Sequence, residues 1–174
     1  GVGLAAVQLA KACGCMVVGT AGSELGRANV KAAGADHVLG HAESPTEFAN
    51  HVFELTHGKG VDVIVEMLAN VNLPSDMAVA AQGGRIVVVG NRGTVEINPR
   101  ELMAKEATIS GVSNAFQVGT EEAIVMHAQL CEWLQEGRLK PLEAHSFPLD
   151  QAAEAHKEVI DHTGGTRGKI VLVI

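Results

Sequence analysis

Short apolar runs alternate with longer amphipathic stretches along this chain, and nearly every change of period falls at a glycine, proline or asparagine. Leu4, Val7, Leu9 and Ala10 lie near one helical face and Gly14 supplies a stop, which predicts a first helix over 4–13. Residues 15–19 read as a short buried strand, 23–33 as a second helix ended by Gly34, and 37–39 as the next strand. Ser44-Pro45-Thr46-Glu47 then offers a cap, a proline at the first helical position, and a glutamate able to reach back to the cap's amide. A helix to Thr56 follows, then a strand over 61–65, a short helix over 74–81 and a strand over 85–89. These strands are nearly all apolar, as expected where helices cover both faces. Residues 94–97 are expected as a small extra strand, 99–105 as a helical turn and 107–112 as one more strand.

Beyond Gly119 the pattern predicts a long helix over 120–135, with Ile124, Leu130, Cys131 and Leu134 as core positions and Gly137 as its end. A helix over 149–161 and a strand over 169–174 complete the order. The apolar run of that last strand has to be buried, and its partner is expected in a lobe outside this chain. Alternation of strands and helices over this length implies parallel βαβ units, so the fold class is α/β, a doubly wound parallel sheet. Gly1-Val2-Gly3 runs straight into the first helix as if a glycine loop had been cut in half, which points to a nucleotide fold whose first strand is missing.

Composition narrows what such a fold can do. At 174 residues there is room for one ordinary domain, or a domain and part of another, and 47% hydrophobic residues exclude disorder. The formal charge is −7, so bulk electrostatic attraction to nucleic acid or an acidic membrane surface is not expected, and an anionic ligand must be held locally. Apolar runs stop at strand length, well short of the roughly 20 residues needed to cross a bilayer. Cys13, Cys15 and Cys131 form no disulfide framework, which suggests a reducing, cytoplasmic setting.

The chemistry concentrates where strands end. In open α/β sheets ligands bind at the carboxyl ends of the strands, and residues 83–100, GGRIVVVGNRGTVEINPR, place a glycine turn, an apolar strand and a polar loop in that order. Backbone amides at a helix start can hold a pyrophosphate, and Gly1-Val2-Gly3 supplies half of a glycine signature for it. After the second predicted element the chain reads Gly19-Thr20-Ala21-Gly22-Ser23, without the carboxylate that would pair with the ribose of NAD. Ser23 can offer a hydroxyl and Arg27 a forked cation to a 2′-phosphate, which favours NADP; the alternative for Arg27 is a solvated surface charge near Glu24. His41 could stack on or hydrogen-bond to an adenosine, or serve as an ordinary loop residue. Asn70, Asn72 and Val89, Gly90, Asn91 and Arg92 lie after strands where a nicotinamide half would pass, though asparagine and glycine are also default turn residues. No HExxH, zinc-spaced cysteine pair or GxSxG elbow occurs, so neither a metal nor a catalytic residue is assigned. Glu66 and Asp62 read as structural or solvated carboxylates.

Several segments together resemble the quinone oxidoreductase branch of the medium-chain dehydrogenase/reductase superfamily. They are GVGLAAVQLAKACG at 1–14, GTAGS at 19–23, AAGADHV at 32–38, GVDVIVEMLANVNL at 60–73, GGRIVVVGNRGTVEINPRELMAKEATISGV at 83–112, then GRLKP and FPLDQAAEAH. The resemblance implies a Rossmann-like NAD(P)-binding domain at 1–118, followed at 119–174 by the tail returning to a split catalytic lobe. It implies zinc-independent hydride transfer from NADPH to a small quinone, with an enoyl or alkenal reductase as the alternative substrate class. It also implies that Gly1, Val2 and Gly3 belong to the pyrophosphate loop, and that Gly22, Ser23, His41, Asn72, Val89 to Arg92, and Val112, Ser113 and Asn114 line the NADPH groove. Where the family usually has a lysine, Arg27 would take over the phosphate. The quinone pocket would be shared with the missing lobe, so this chain alone is not expected to turn over. Another copy or an upstream segment is expected to fill the place of the first strand. The resemblance implies homo-oligomers through an edge strand, for which 107–112 is the candidate. Some members of the branch are lens structural proteins or bind AU-rich RNA, but the charge and the 3% aromatic content disfavour an RNA-stacking platform here.

Overall fold

The computed structural model describes residues 1–41, 44–113, 119–161 and 169–174. In chain order the elements are α1 (Val2–Ala12), β1 (Val18–Ala21), α2 (Glu24–Ala32), β2 (His37–Gly40), α3 (Pro45–Leu55), β3 (Val61–Glu66), α4 (Ala69–Val79), β4 (Ala80–Val88), α5 (Pro99–Lys105), β5 (Thr108–Gly111), α6 (Glu121–Gln135), β6 (Glu143–Pro148), α7 (Ala152–Asp161) and β7 (Lys169–Val173). Every strand pairing among the described residues is parallel, in three sheets ordered β1-β2, β3-β4-β5 and β6-β7. The α/β class expected from the alternation holds. The chain divides into two compact units, residues 1–42 with 125–174, and residues 43–124.

In the first unit, Leu4 and Val7 of α1 pack with Val30 of α2 and Ala35, and Val17, Val38 and Leu142 close around them. Gly19 is a packing requirement: a Cβ there would stand 2.3 Å from Val30 Cγ1, so only glycine lets α2 lie this close on β1. Asp36 ties the end of α1 to the approach to β1, accepting from Lys11 Nζ at 2.8 and 2.9 Å and from Val17 N at 2.7 Å. The Lys11 hydrogen bond first, and the Val17 amide second, hold its carboxyl below the usual range.

The carboxyl-terminal residues of this unit correct two expectations. β7 finds its partner within the chain, in β6, a strand hidden from sequence reading because Glu-Ala-His-Ser-Phe-Pro lacks an apolar run. Nor is β7 buried, since Leu172 is 38% and Val173 54% exposed. The apolar side chains expected in the core from α6 are likewise largely at the surface: Ile124 is 65% and Leu134 44% exposed, Cys131 is exposed, and only Ala123 of the helix is buried.

In the second unit α3 begins as predicted, with Ser44 Oγ accepting from Glu47 N and the Glu47 carboxylate accepting from Ser44 N at 3.0 Å. α4 begins five residues before the predicted start, and Pro74 lies inside it. A proline there removes the bond to the Asn70 carbonyl, a cost that normally ends a helix. Here burial outweighs it, because Ala69, Leu73 and Met77 repeat every fourth residue and all bury against the sheet. At the far end of the helix Lys105 Nζ donates to the Met77 and Ala78 carbonyls at 2.8 and 2.5 Å, satisfying two acceptors of its last turn.

Under α4, Ile64, Ile86 and Ile109 pair in register across β3, β4 and β5 and fill the core with Ala80. On the face of this sheet away from α4, Val63 and Val65 are nearly half exposed. Strand alternation then fixes a functional detail: Glu66 shares the covered face with Ile64 and lies buried beneath α4. Thr94 to Ile97 forms no strand. Its alternation is real, since Val95 and Ile97 pack on the core while Thr94 and Glu96 face water, but it is met without a hydrogen-bonded partner.

Candidate functional site

At the carboxyl ends of β1 and β2 the first unit gathers four predicted residues or their neighbours. His41 follows β2 directly, and its Nε2 lies 3.0 Å from Thr20 Oγ1 on the paired strand. Gly22 faces the same imidazole, its absent Cβ leaving 3.4 Å to His41 Nδ1. Ser23 caps α2, with Oγ accepting from Gly26 N at 3.0 Å. That bond uses the oxygen as acceptor and leaves the hydroxyl proton for a ligand. Arg27, one turn on, is half-buried, and no carboxylate stands between Val18 and Ser23.

The start of α1 supplies the other feature of this unit. Gly1 is its N-cap and makes no side-chain capping bond, Val2 is exposed, and space around Gly3 is open. The first-turn amides therefore point outward with the positive end of the helix dipole. Lys169, which sequence reasoning did not single out, brings its Nζ within 3.4 Å of where a Gly1 Cβ would be.

In the second unit the carboxyl ends of β3, β4 and β5 form one rim. Val89 and Gly90 donate to the Glu66 carbonyl at 2.8 and 3.2 Å, and the Gly90 carbonyl accepts from Ala69 N at 3.0 Å. Gly90 is pressed against the chain, since a Cβ there would stand 2.2 Å from the Met67 carbonyl oxygen. Arg92 N donates to Asn70 Oδ1 at 2.9 Å, Asn91 Nδ2 to the Gly93 carbonyl at 2.7 Å, and Val112 N to the Val88 carbonyl at 3.1 Å. Asn91, Arg92, Val112 and Ser113 are exposed along this rim, while Asn114 lies outside the described residues. Asn70 and Asn72, expected in a loop, sit in the first turn of α4.

Beneath the rim lies a pair of acids that sequence reasoning missed. Glu66 Oε1 accepts from Leu68 N and, at 3.1 Å, from Asn72 Nδ2. Asp76, one helical turn beyond Asn72, is also buried, and among the described residues no hydrogen-bond partner reaches its Oδ2. Burial first, then the charge of Glu66 and a hydrogen bond to it, push the Asp76 carboxyl up to about 8. The usable signal was the spacing: Glu66 ends an alternating strand on its covered side, and Asn72 and Asp76 are four apart on the helix above.

Residues 1–127 match the model of a family described as zinc-binding dehydrogenase. The chain belongs to that family. Over its whole length it is 44% identical to the human quinone oxidoreductase, of which it covers 52%. A solved mycobacterial quinone oxidoreductase superposes with a TM-score of 0.88 at 28% identity, covering all of this chain and 54% of that one. A mycobacterial structure in complex with NADPH matches with a TM-score of 0.83 at 28% identity, over all of this chain and 53% of its own. The chain thus spans about half the length of the curated relatives it matches. These findings agree with the superfamily resemblance drawn from the sequence. The metal in the family description finds no fit here: among the described residues no group of three histidine, cysteine or acidic side chains could hold an ion. Among them, too, no helix is long and apolar enough to cross a membrane.

Proposed function

We propose that this chain is the coenzyme-binding part, 1–118, and the returning tail, 119–174, of an NADPH-dependent quinone reductase working in the cytoplasm. The observation that carries the reading is the acid-free tip of β1, where Gly22, the Ser23 hydroxyl and His41 converge with Arg27 one turn away. An adenosine 2′-phosphate fits such a tip, and a carboxylate would have repelled it. The first-turn amides of Val2 and Gly3, with the side-chain-free N-cap Gly1 allowing close approach, fit a pyrophosphate. Asn72, Val89 to Arg92, and Val112 to Asn114 would orient the nicotinamide end.

When bound, NADPH supplies the hydride and both electrons for the quinone, and the protein binds, orients and shields it. Similarity to quinone oxidoreductases along the whole chain supports a quinone as acceptor. Titrating the full-length protein by nicotinamide fluorescence should show NADPH binding more tightly than NADH by roughly ten- to a hundredfold, about 1.4 to 2.8 kcal/mol. Arg27→Ala should erase most of that difference while leaving NADH affinity unchanged. Equal affinities in the wild type would refute the assignment of the phosphate.

β5 is an outer strand of its sheet, bonded only to β4 among the described residues, and carries the exposed residues Thr108, Ser110 and Gly111. We read it as the pairing edge of a homodimer, since an unpaired edge is a template for a second strand. Val112 N donates inward to the Val88 carbonyl, so by strand alternation the Gly111 N–H faces the unpaired edge. Sedimentation across a concentration series should give a dimer that Gly111→Pro, by blocking edge pairing, converts to monomer. A monomer throughout would remove the edge from this role.

A further inference from the structure

Glu66 and Asp76 are both buried, and Asn72, one turn before Asp76, is bonded to Glu66. Two buried carboxyl groups whose charges act on each other cannot both ionise at modest cost, so one of them must keep its proton. The surroundings of the pair decide which. Glu66 Oε1 already receives two donors, the Leu68 amide and the Asn72 amide nitrogen. Asp76 Oδ2 receives none among the described residues. A buried oxygen without a donor is poorly placed to carry charge, whereas once protonated it becomes a donor itself, and the neighbouring acceptor is Glu66.

We propose that Asp76 is a positioning residue: as a neutral carboxylic acid donating to Glu66, it holds the Glu66 carboxylate where that group fixes Asn72 and the Leu68 amide, and so sets the rim around Gly90. The chain of contacts is short. Glu66 holds Asn72 through its side chain and Val89 and Gly90 through its carbonyl. A second negative charge at Asp76 would repel Glu66, and the displacement would pass directly to those groups.

Other ionisable groups stand on every element packed against α4. β3 carries Asp62, β4 carries Arg85, and α3 carries Glu47, His51 and Glu54. α5 carries Arg100, Glu101 and Lys105, of which Lys105 meets α4 at the Met77 and Ala78 carbonyls. Among the described residues, burial first and then the charge of Glu66 raise the Asp76 carboxyl.

The test is a pH series on the full-length protein, comparing wild type with Asp76→Asn, Asp76→Ala and Glu66→Gln. The effect on coenzyme affinity rests on the NADPH reading above; the titration of the acid pair does not. Wild-type NADPH affinity should hold to pH 7.5 and then weaken as Asp76 ionises near 8, by up to roughly tenfold per further unit. Asp76→Asn, whose amide donates to Glu66 at every pH, should keep its affinity through the series, and Asp76→Ala should bind weakly throughout. Difference infrared spectra should show a protonated-carboxyl stretch that titrates near 8 in the wild type, is missing in Asp76→Asn, and titrates at lower pH in Glu66→Gln, where burial remains but the neighbouring charge is gone.

Stability has its own sign. Asp76 rises from 3.8 to about 8 on folding, so the folded protein keeps a proton that the unfolded chain releases. That stabilisation is complete below the unfolded value, shrinks as pH rises, and is gone above about 8. Urea midpoints should therefore fall with pH across this window in the wild type, more steeply than in Asp76→Asn. The proposal is overturned if Asp76→Asn follows the wild-type alkaline profile, or if the wild type shows no such carboxyl band. NADPH failing to bind at any pH would defeat the coenzyme reading instead, and the infrared and urea measurements would still decide the acid pair.

Discussion

Replacing Gly90 by alanine is expected to cost about 2–3 kcal/mol of stability and to weaken NADPH binding by at least roughly tenfold. The reason is space. An added Cβ would stand 2.2 Å from the Met67 carbonyl oxygen and 3.0 Å from its carbonyl carbon, and both are backbone atoms that no rotamer change can move aside. Gly90 is also bonded on both sides, to the Glu66 carbonyl and from the Ala69 amide. Relief of the clash must break one of these bonds or shift the turn after β3, and either carries Asn70 and Arg92 with it. Gly93→Ala is the control. Its Cβ would meet Asn70 atoms no closer than 3.8 Å, an ordinary contact, so its stability should stay within about 0.5 kcal/mol of wild type. Urea denaturation and a fluorescence titration of both variants measure the two effects. Equal behaviour of the two would mean that the approach of Gly90 to Met67 does not set the rim.

The sequence revealed the features that local chemistry determines. Ser44, Pro45 and Glu47 announce the start of α3 because a capping box needs only its own residues, and the structure forms each bond of it. The parallel, alternating order was legible for the same reason: apolar runs such as 86–89 and glycine stops are local signals. Most of the candidate rim residues could be found by position alone, since loops after parallel strands must lie at the carboxyl edge.

What escaped was determined by partners distant in sequence. Pro74 argued for a helix start, and only the burial of Ala69, Leu73 and Met77 against the sheet explains why α4 continues through it. β6 has a polar composition and exists through its pairing with β7, more than 20 residues away. α6 showed apolar spacing without anything in this chain to cover it, so Ile124 and Leu134 misled as core positions. For Glu66 the sequence left a structural and a solvated role open. Its burial depends on the side of β3 that α4 covers, and its chemistry depends on Asp76, which no motif marks.

Ile86→Ala should have the largest effect on folding, a loss of about 3–5 kcal/mol. Ile86 has no exposed surface, occupies the central strand of its sheet, and touches the α4 face formed by Ala69, Leu73 and Met77. Sheet backbone surrounds it on both edges, through Ile64 and Ile109, so the cavity left by three carbons has little freedom to collapse. Ile86→Val, which removes one methylene, should cost about 0.5–1.5 kcal/mol. Urea midpoints with unchanged m-values would check both. Because Ile86 lies two positions before the strand ends and points beneath α4, the folded fraction of Ile86→Ala should bind NADPH with near wild-type affinity. Gly90→Ala is expected to weaken binding more for a smaller loss of stability. That opposite ordering separates the rim from the core below it, and a binding loss in Ile86→Ala as large as in Gly90→Ala would show that the rim's geometry depends on the packing of the whole layer.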